Sequence, residues 1–557
     1  MSIKYSIIIN RNFDEKLMRN CVLAMSVRYQ QLRLAIVDSN DGKKLIARER
    51  VENNDLDFLI VTNEYDEIYI ENDDFPLFKI LIELYDDSFM FSFIPHPIIE
   101  CDFDIKKNIL EEFLDIYMND GKNYWIESDF PLVRFTKRQI EQCDINIENI
   151  IPLSYKQRSL LSKCLVEKNK HLYVKLNHIT FICDDFDFDK FSCAFDYVVD
   201  ENEILRSVYK GRLQYQVIIR NMKGVLDYYD ISYLPEREKF DQLNTFSQLM
   251  LDEGFDYLNE SLLKCRVIKL GNDKYDFITF HHFSIMDGFS YRVFVDSVFK
   301  YYLDLKKGVQ TEHKSRSYYF KDYVIEEKEA VDNSVIRGFW KGKTASIKRI
   351  DFEEIKEEAI SDKTITNYFE YFDCDESQDI KHKIDKFDKP RSLIFLASYY
   401  ILCNKVFSES DLAIGVVSNT WHHRDDNTLG YFSNVLPYRI DFSKIEDERM
   451  LIDQLFGMMI ECKQYEIYPI EDVCDICFTY ENSNSKFSHV DEKEIEFCDS
   501  LINTEGTSNH GLYLSIKEYP DEFFVSVESK PFLFTRDKMQ QMIKEYKNIL
   551  LEMIKYI

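Results

Sequence analysis

The residues with the clearest capacity for chemistry lie in the stretch 277–290, which reads FITFHHFSIMDGFS. An apolar run ends at His281 and His282, and after a short turn Asp287 and Gly288 open the next segment. Histidine is the side chain best suited to moving a proton near neutral pH. A histidine at the end of a strand, with an acid nearby to fix the turn, can serve as a general base. The alternative is a buried histidine that is hydrogen-bonded to the backbone at a strand end.

Other groups of potentially reactive residues lack the spacing or the sequence context that their chemistry requires. His422 and His423 form a second adjacent pair, but adjacent histidines lack the spacing of metal ligands and no carboxylate framework accompanies them. Cys474 and Cys477 form a single CxxC without a second pair, so neither zinc binding nor redox chemistry is expected. Ser284 lies in no nucleophile elbow, and no phosphate-binding glycine loop is present in the sequence. The sequence therefore predicts neither a metal nor a bound cofactor.

Alternating strand-like and helical segments must position the histidine pair. They fill the region 151–330, and in it the apolar residues of 289–302 recur at helical spacing directly after the turn. Beyond this region, residues 392–407 predict an apolar helix and 411–417 predict a buried strand. An amphipathic helix is predicted over 535–556, with Thr535 as its cap. This pattern predicts a mixed α/β fold.

The first 118 residues carry a degenerate repeat of the pattern around the histidine pair. Two offsets relate the copies: 173 for the segments 13–16 and 186–189, and 185 for His96 with His281, Asp102 with Asp287 and Tyr117 with Tyr302. Pro97 stands where the later copy has His282, and Phe103 where it has Gly288, so the first copy lacks the base and the flexible turn residue. We predict a non-catalytic companion at 1–118, with a polar linker at 119–150. The alternative is an unrelated α/β domain whose matches arise by chance.

Seven short landmarks follow one another from about residue 151 to the C-terminus. They are 152–158 (PLSYKQR), 203–206 (EILR), the His-His and Asp-Gly segment, 319–323 (YFKDY), 339–340 (FW), 430–437 (GYFSNVLP) and 468–471 (YPIE). In type and order they resemble the motifs of the condensation domains of nonribosomal peptide synthetases, within the chloramphenicol acetyltransferase-like superfamily. The resemblance implies two such lobes in a V-shaped arrangement, at 151–330 and 331–557, preceded by the extra half-copy of the first lobe.

The same resemblance implies a reaction and a role for each motif residue. An acyl donor would arrive as a thioester on the phosphopantetheine arm of a carrier protein, and an amine acceptor would enter from the opposite face. His282 would orient or deprotonate the amine, or stabilise the tetrahedral intermediate, and the family mechanism leaves these three roles open. Because bringing two bound reactants together supplies much of the acceleration, a weak base could suffice.

Neighbouring residues would support His282. By the resemblance, His281 is structural and Asp287 holds the turn through Arg424. Gly288 supplies backbone freedom. Asn434 lines the tunnel between the lobes or, equally, is buried to satisfy backbone groups.

Two departures from the family pattern affect this expected site. The family has three residues between the second histidine and the aspartate, whereas four, 283–286, stand here. If the histidine pair is the anchor, His282 is the catalytic histidine and the turn has one extra residue. If Asp287 with its glycine is the anchor, Phe283 takes the catalytic position and the enzyme is dead or altered. We favour the first alternative. Arg424, the partner expected for the aspartate, is also displaced by additional residues at 421–423.

Composition and charge exclude several classes of protein. The 557 residues are 45% hydrophobic and 30% charged, which is typical of a packed chain of about three or four domain-sized units. No apolar run reaches the roughly 18 residues of a membrane helix, and no leader pattern opens the sequence. Thirteen scattered cysteines indicate reduced thiols, so we expect a cytoplasmic protein. The net charge, 70 minus 99 or −29, disfavours nucleic acid and anionic membranes and attracts cations.

Two classes of function remain for this sequence. The first is a condensation enzyme that forms an amide between a carrier-bound acyl thioester and an amine in nonribosomal peptide-type synthesis, with ester formation or acyl-CoA use as variants. Since no carrier or adenylation segment follows the last predicted helix, we expect it to be stand-alone. A cationic acceptor would be attracted by the charge, whereas an acidic carrier protein would need a local basic patch. The second is a catalytically degenerate protein that docks carrier proteins or scaffolds an assembly line. A His282 facing an open tunnel would favour the enzyme, and a buried His282 with Phe283 blocking the tunnel would favour docking.

Overall fold

The computed structural model forms two compact units, Met1–Pro152 with Tyr215–Asn221, and Leu153–Gln214 with Met222–Ile557. The residues that it describes are 5–9, 11–28, 34–39, 42–47, 59–62, 78–85, 87–95, 113, 117–118, 132, 147–167, 172–210, 214–220, 222–309, 318–352, 367–419, 428–470, 473–482, 494–498, 510–530 and 533–556. Among the helices in these ranges, none combines the length and the apolar character that a bilayer crossing requires.

The first unit is built on a four-stranded sheet. Its elements are β1 (Tyr5–Ile9), α1 (Glu15–Arg28), β2 (Leu34–Ser39), β3 (Gly42–Ala47), β4 (Leu59–Thr62), β5 (Phe78–Leu84), β6 (Phe89–Pro95), β7 (Ile147–Pro152) and β10 (Tyr215–Ile219). The sheet has the order β1-β6-β5-β4, while β2 and β3 form an antiparallel hairpin and β10 pairs with β7. Apolar residues of β5 and β6 pack with Phe113 and Tyr117 to form its core.

The second unit begins with a lobe built on a five-stranded sheet. Its elements are α2 (Tyr155–Glu167), β8 (Val174–Ile182), α3 (Phe188–Glu201), β9 (Ser207–Lys210), β11 (Val225–Asp230), α4 (Glu236–Glu253), β12 (Leu263–Lys269), β13 (Lys274–His282) and α5 (Gly288–Lys306). The sheet has the order β11-β12-β13-β8-β18, in which β18 (Glu496–Phe497) comes from much later in the chain. Alternate side chains of β13 face opposite sides of this sheet. Phe277 packs against Phe191 of α3 and Phe299 of α5, whereas Phe280 lies in the core that α4 covers.

The two sheets repeat one another. The order β1-β6-β5-β4 corresponds to β8-β13-β12-β11, and the three pairings are antiparallel, antiparallel and parallel in both. The bounds of α1 and α3 differ by 173 at both ends, and those of β5 and β12 differ by 185 at both ends. The first-unit sheet therefore shares its strand order and strand directions with the first-lobe sheet, and the companion role of residues 1–118 stays a prediction.

One hydrogen bond is conserved between the copies. The backbone N–H of Asp14 donates to the hydroxyl of Tyr117 at 2.8 Å, and that of Asp187 donates to Tyr302 at 3.1 Å. In both copies the tyrosine thereby ties the start of the first helix to the later part of the repeat. His96, Pro97, Asp102 and Phe103, on which the predicted loss of the base depends, lie outside the described residues.

The second lobe of this unit is a six-stranded sheet covered by helices. Its elements are α6 (Phe320–Asp332), α7 (Ser334–Thr344), β14 (Asn367–Tyr371), α8 (Cys374–Ile384), α9 (Ser392–Phe407), β15 (Asp411–Asn419), β16 (Ser433–Asp441), α10 (Glu448–Lys463), β17 (Ile476–Asn482), β19 (Leu512–Glu518), β20 (Phe523–Ser529) and α11 (Arg536–Met553). The sheet has the order β14-β20-β19-β17-β15-β16. The apolar helix α9 is buried within the largest core cluster, as its composition predicts. Thr535 caps α11 by accepting a hydrogen bond from the N–H of Lys538, so this predicted cap is confirmed.

Candidate active site

Strand β13 ends in the two histidines, and the pleat directs them to opposite faces of the sheet. His281 points toward α5, where its ring stacks on Tyr291 with the ring centres 5.1 Å apart. Burial lowers the pKa of His281 to about 3, and within the described part of the chain its Nδ1 has no hydrogen-bond partner. His281 is therefore a neutral, buried ring that packs against Tyr291.

His282 is fully enclosed on the other face, with no exposed surface. Its Nδ1 lies 3.2 Å from the backbone nitrogen of Ser284 and 2.8 Å from the Ser284 hydroxyl. An N–H can only donate, so Nδ1 is an acceptor and the proton of the neutral ring is on Nε2. The Ser284 hydroxyl itself accepts a hydrogen bond from the hydroxyl of Tyr209 at 2.8 Å. A buried relay from Tyr209 through Ser284 thus fixes the orientation of the His282 ring.

The other nitrogen of His282 also faces protein atoms. Nε2 lies 3.5 Å from the thiol sulfur of Cys164, and that thiol itself donates to the carbonyl of Leu172 at 3.6 Å. The ring of Tyr257 meets the imidazole edge-to-face with centres 5.2 Å apart. Desolvation, and then the neighbouring His281, lower the pKa of His282 to about 3, against the opposing effect of Leu172. The imidazole is therefore neutral at physiological pH and has no contact with solvent.

Phe283 is the first residue after the strand and lies where the two lobes meet. It is half-buried, and its ring packs edge-on against Tyr431 of the second lobe with centres 6.0 Å apart. The ammonium of Lys175 lies 5.8 Å from the centre of the same ring. Three residues, 284–286, separate Phe283 from Asp287, which is the family's spacing between the catalytic histidine and the aspartate.

Asp287 joins the turn after β13 to the second lobe. As the N-cap of α5, its Oδ1 accepts a hydrogen bond from the N–H of Ser290 at 2.9 Å. Its Oδ2 accepts from the N–H of Phe432 at 3.0 Å and from both the N–H and the hydroxyl of Ser433 at 2.9 Å each. The Asp287 N–H and the Ser290 hydroxyl both donate to the carbonyl of Gly430. A buried carboxylate with four donors is fully satisfied without an arginine.

Arg424, like His422 and His423, lies outside the described residues, so its pairing with Asp287 stays a prediction. Gly288 begins α5 without a positive φ, and an added Cβ would meet only Glu481 Oε1 at an ordinary 3.7 Å. The expected need for backbone freedom at Gly288 is therefore wrong, because this residue occupies the first turn of a regular helix.

Asn434 serves the backbone of the second lobe. Its Nδ2 donates to the carbonyls of Glu466 and Tyr468 at 2.7 Å each, and its Oδ1 accepts from the N–H of Val435 at 3.0 Å. The side chain is buried and its amide is saturated by protein groups. These contacts match the alternative in which the asparagine satisfies backbone groups.

Sequence reasoning missed the side chains that clamp this region together. The buried Lys156 ammonium donates to the carbonyls of Phe432 and Ser433 at 2.7 and 2.9 Å. Gln157 Nε2 donates to the carbonyl of Ser284 at 2.9 Å. Both residues belong to the landmark at 152–158, whose match to the family was the available signal for their importance.

A buried carboxylate stands beside this clamp. Glu327 of α6 accepts hydrogen bonds from the backbone N–H groups of Tyr155 at 2.5 Å and Lys156 at 3.4 Å. Desolvation raises the pKa of Glu327, while the positive charge of Lys156 acts in the opposite direction. The opening of α2, the turn after β13 and the start of β16 are thus held by polar contacts between distant parts of the chain.

Comparisons with known proteins agree with this architecture. The family model of the condensation domain matches residues 147–556. A linear gramicidin synthase polypeptide from Brevibacillus parabrevis is 22% identical over 377 residues, which are 65% of this chain but 5% of that synthase polypeptide. The chain therefore spans a small fraction of this much longer relative.

Solved structures share the fold at low sequence identity. The condensation domain of the Monacolin K polyketide synthase MokA has a TM-score of 0.60 at 15% identity, covering 74% of this chain and 98% of that domain. The X-domain solved in complex with OxyB from teicoplanin biosynthesis has a TM-score of 0.57 at 14% identity, covering 72% of this chain and 93% of that one. The mixed α/β fold predicted from the sequence is confirmed.

Proposed function

The chain belongs to the condensation-domain family, and from this premise we propose that it serves nonribosomal peptide-type synthesis by binding carrier-borne acyl or peptidyl groups, without His282 acting as a general base. In this role the protein docks a carrier protein or holds the group on its phosphopantetheine arm for another component. The observation that carries the proposal is the complete enclosure of the His282 imidazole.

A general base must reach the proton that it removes, directly or through one water. His282 is separated from solvent, its Nδ1 accepts from Ser284, and its Nε2 faces Cys164. Its neutral form is maintained by burial, but neutrality alone does not give the ring access to an amine. Both ring nitrogens thus face polar atoms of the protein, as expected of a structural histidine.

The register of the turn supports the same proposal. Counted back from Asp287, which is held by donors of both lobes, the position of the family's histidine is occupied by Phe283. A phenyl ring can pack against a bound substrate but cannot accept a proton. The half-buried Phe283 beside Tyr431 therefore provides an apolar contact where catalysis would require imidazole.

A second candidate is the amide-forming condensation reaction itself, with ester formation and acyl-CoA use as variants. The intact frame around Asp287, together with the match over 147–556, favours it. If both reactants bind between the lobes, approximation alone can accelerate aminolysis of a thioester, which needs no strong base. In this candidate function the predicted reaction is the same, but the rate enhancement comes from substrate positioning rather than from His282.

One experiment separates these functions. Carrier proteins loaded with acyl thioesters are mixed with the protein and candidate amines, and both complex formation and amide product are measured. The proposal expects saturable carrier binding that depends on the acyl-phosphopantetheine group, with no product above the uncatalysed rate. His282→Ala should then behave as the wild type in binding, as should the control His382→Ala on the exposed face of α8.

Each outcome has a definite meaning. Product that His282→Ala loses and His382→Ala retains would overturn the proposal in favour of histidine-dependent condensation. Product that all three proteins form equally would instead establish condensation by positioning. Absence of both binding and product across a panel of carriers would exclude the carrier-binding role.

A further inference from the structure

A Ser-His-Asp arrangement lies outside the site described above, on the α4 face of the first-lobe sheet. His178 of β8 has its Nδ1 2.6 Å from Oδ2 of Asp276 in β13 and its Nε2 2.9 Å from the hydroxyl of Ser247 in α4. Each of the three residues comes from a different element, and the two distances are those of productive hydrogen bonds. This is the connectivity of a catalytic triad, in which an acid orients a histidine and the histidine activates a serine.

The acid of this group is held in place by hydrogen bonds to both of its oxygens. Asp276 is 1% exposed, and its second oxygen, Oδ1, accepts a hydrogen bond from the hydroxyl of Thr180 at 2.9 Å. A carboxylate can only accept, so Nδ1 of His178 carries a proton toward Asp276. In the neutral ring Nε2 is then the acceptor that faces Ser247. This is the tautomer that a general base for the serine needs.

The sheet and its covering helix hold the three residues in register. His178 stands opposite Ile278, and Asp276 stands opposite Thr180 two residues further along the same strand pair. Ser247 follows Phe246, whose carbonyl accepts a hydrogen bond from Arg266 of β12 at 3.2 Å and whose ring packs into the core beneath α4. The helix is therefore tied to the sheet one residue before the serine, which limits its freedom to shift.

Access distinguishes this histidine from His282. The His178 side chain is 16% exposed and Ser247 is half-buried, whereas His282 has no exposed surface. The Ser247 hydroxyl also lies 3.0 Å from the carbonyl of Leu243, so rotation about its Cβ–Oγ bond moves its proton between that carbonyl and the ring. Ser247 and His178 are thus both half-buried rather than enclosed, and the hydroxyl has the ring nitrogen of His178 on its other side.

We propose that Ser247, His178 and Asp276 form a nucleophilic serine site that hydrolyses acyl esters or thioesters. Ser247 Oγ adds to the acyl carbonyl carbon while its proton passes to His178 Nε2. The bond from carbon to the leaving alcohol or thiol then breaks, and that group takes the proton from His178. Water, deprotonated by the same nitrogen, cleaves the resulting acyl-serine, returns the proton to Ser247 and releases a carboxylic acid.

The surroundings of the serine favour an apolar acyl group. Leu243 and Phe246 flank Ser247 on α4, and the core beneath them contains aliphatic and aromatic side chains of β8, β12 and β13. No charged side chain takes part in the Ser247 hydrogen bonds among the described residues other than through His178. A short fatty acyl ester or thioester suits this environment better than a charged one.

The test uses a fluorophosphonate probe, which labels an activated serine by forming a stable Ser–O–P bond with loss of fluoride. The full-length protein should give one adduct, located by mass spectrometry on Ser247, and should hydrolyse p-nitrophenyl butyrate. Ser247→Ala should lose both. Thr245→Ala is the matched control, because Thr245 lies on the same helix and its hydroxyl donates in the same way to the carbonyl of Asp241 at 2.8 Å, but it is exposed.

A second variant tests the role of the acid. Asp276→Asn should lower the labelling rate by about 10³- to 10⁴-fold, because the amide stabilises the wrong tautomer of the histidine. Its thermal unfolding is measured in parallel, so a folded but unreactive variant supports the site. Failure of the folded wild-type protein to label at Ser247, or equal ester hydrolysis by Ser247→Ala, would overturn the proposal. The carrier-binding function rests on other residues, so either proposal can fail without the other.

Discussion

His282 and Phe283 illustrate how one position along a strand decides a chemical role. The sequence predicts a histidine pair at the end of a strand, and β13 does end there. The sequence cannot reveal which of the two neighbouring residues contacts the second lobe, because that depends on where the strand stops pairing. In the structure, pairing of β13 with β8 continues to His282, so its ring is buried and the following residue, Phe283, turns outward.

Asp287 is expected to be among the most costly side chains to remove in this region. Asp287→Ala would delete the cap of α5 and leave the buried N–H of Phe432 and the half-buried N–H of Ser433 without their acceptor. A cap contributes about 1 kcal/mol and each of the two unsatisfied groups about 1–3 kcal/mol, so the free energy of unfolding should fall by about 3–7 kcal/mol. Urea denaturation followed by circular dichroism measures this loss.

The control for this prediction is the equivalent cap in the same lobe. Asp187 caps α3 through the N–H of Lys190 at 3.1 Å, and its side chain is 41% exposed. Asp187→Ala should therefore cost only about 1 kcal/mol. Equal losses for both variants would show that the contacts between Asp287 and residues 432–433 add nothing to stability.

At the scale of elements, apolar patterns in the sequence predicted those helices and strands whose formation depends on neighbouring residues in the chain. The helix predicted at 392–407 is α9 with the same bounds, and the strand predicted at 411–417 is β15, which extends to Asn419. Both are continuous apolar runs whose length and flanking residues identify them. The clamp of Lys156 and Glu327 could not be predicted in this way, because these residues stand 171 positions apart and only the fold brings them together.

Close packing between neighbouring strands leaves little room for a side chain at Gly415. A Cβ built at this position of β15 would lie 2.4 Å from Val435 Cγ1 and 3.0 Å from the sulfur of Cys477. Gly415→Ala should lower the free energy of unfolding by about 1–3 kcal/mol, because both neighbours belong to adjacent strands and cannot easily move. Chemical denaturation measures this loss.

Replacing a glycine at an exposed helical position should instead stabilise the protein. Gly338 lies in α7, is exposed, and a Cβ there would meet no atom within 4 Å. Gly338→Ala should raise the free energy of unfolding by up to about 1 kcal/mol through helix propensity. If Gly415→Ala were as stable as Gly338→Ala, the close approach of β15, β16 and β17 would not constrain this position.

At the scale of the whole molecule, the buried histidines should make the second unit sensitive to acid. The folded pKa of His282 is about 3, below its ordinary value of 6.5, so the unfolded chain binds more protons between these pH values. The resulting stability is fully present above pH 6.5 and is lost as the pH falls toward 3. Near pH 5, His282→Gln should reduce the slope of unfolding free energy against pH by about 1.4 kcal/mol per pH unit.

Urea denaturation at pH 7, 6 and 5 gives this slope for the wild type and the variant. Comparing slopes rather than absolute stabilities removes the cost of the substitution itself. His382→Gln, at an exposed position of α8, is the control and should follow the wild type. A slope that His282→Gln leaves unchanged would mean that the imidazole is protonated in the folded protein and is therefore not enclosed.

The net charge of −29 predicts how salt affects the binding of charged ligands to the whole molecule. An acidic carrier protein approaches against a repulsive field that ions screen, over a Debye length of about 10 Å at 0.1 M salt. Its association rate should therefore rise between 50 and 300 mM NaCl, whereas the affinity for a cationic amine such as a polyamine should fall. Stopped-flow and titration calorimetry measure the two quantities. If the association of the carrier slows with salt, a local basic patch is strong enough to reverse the overall field. If the affinity for the amine does not change with salt, total charge does not select the acceptor.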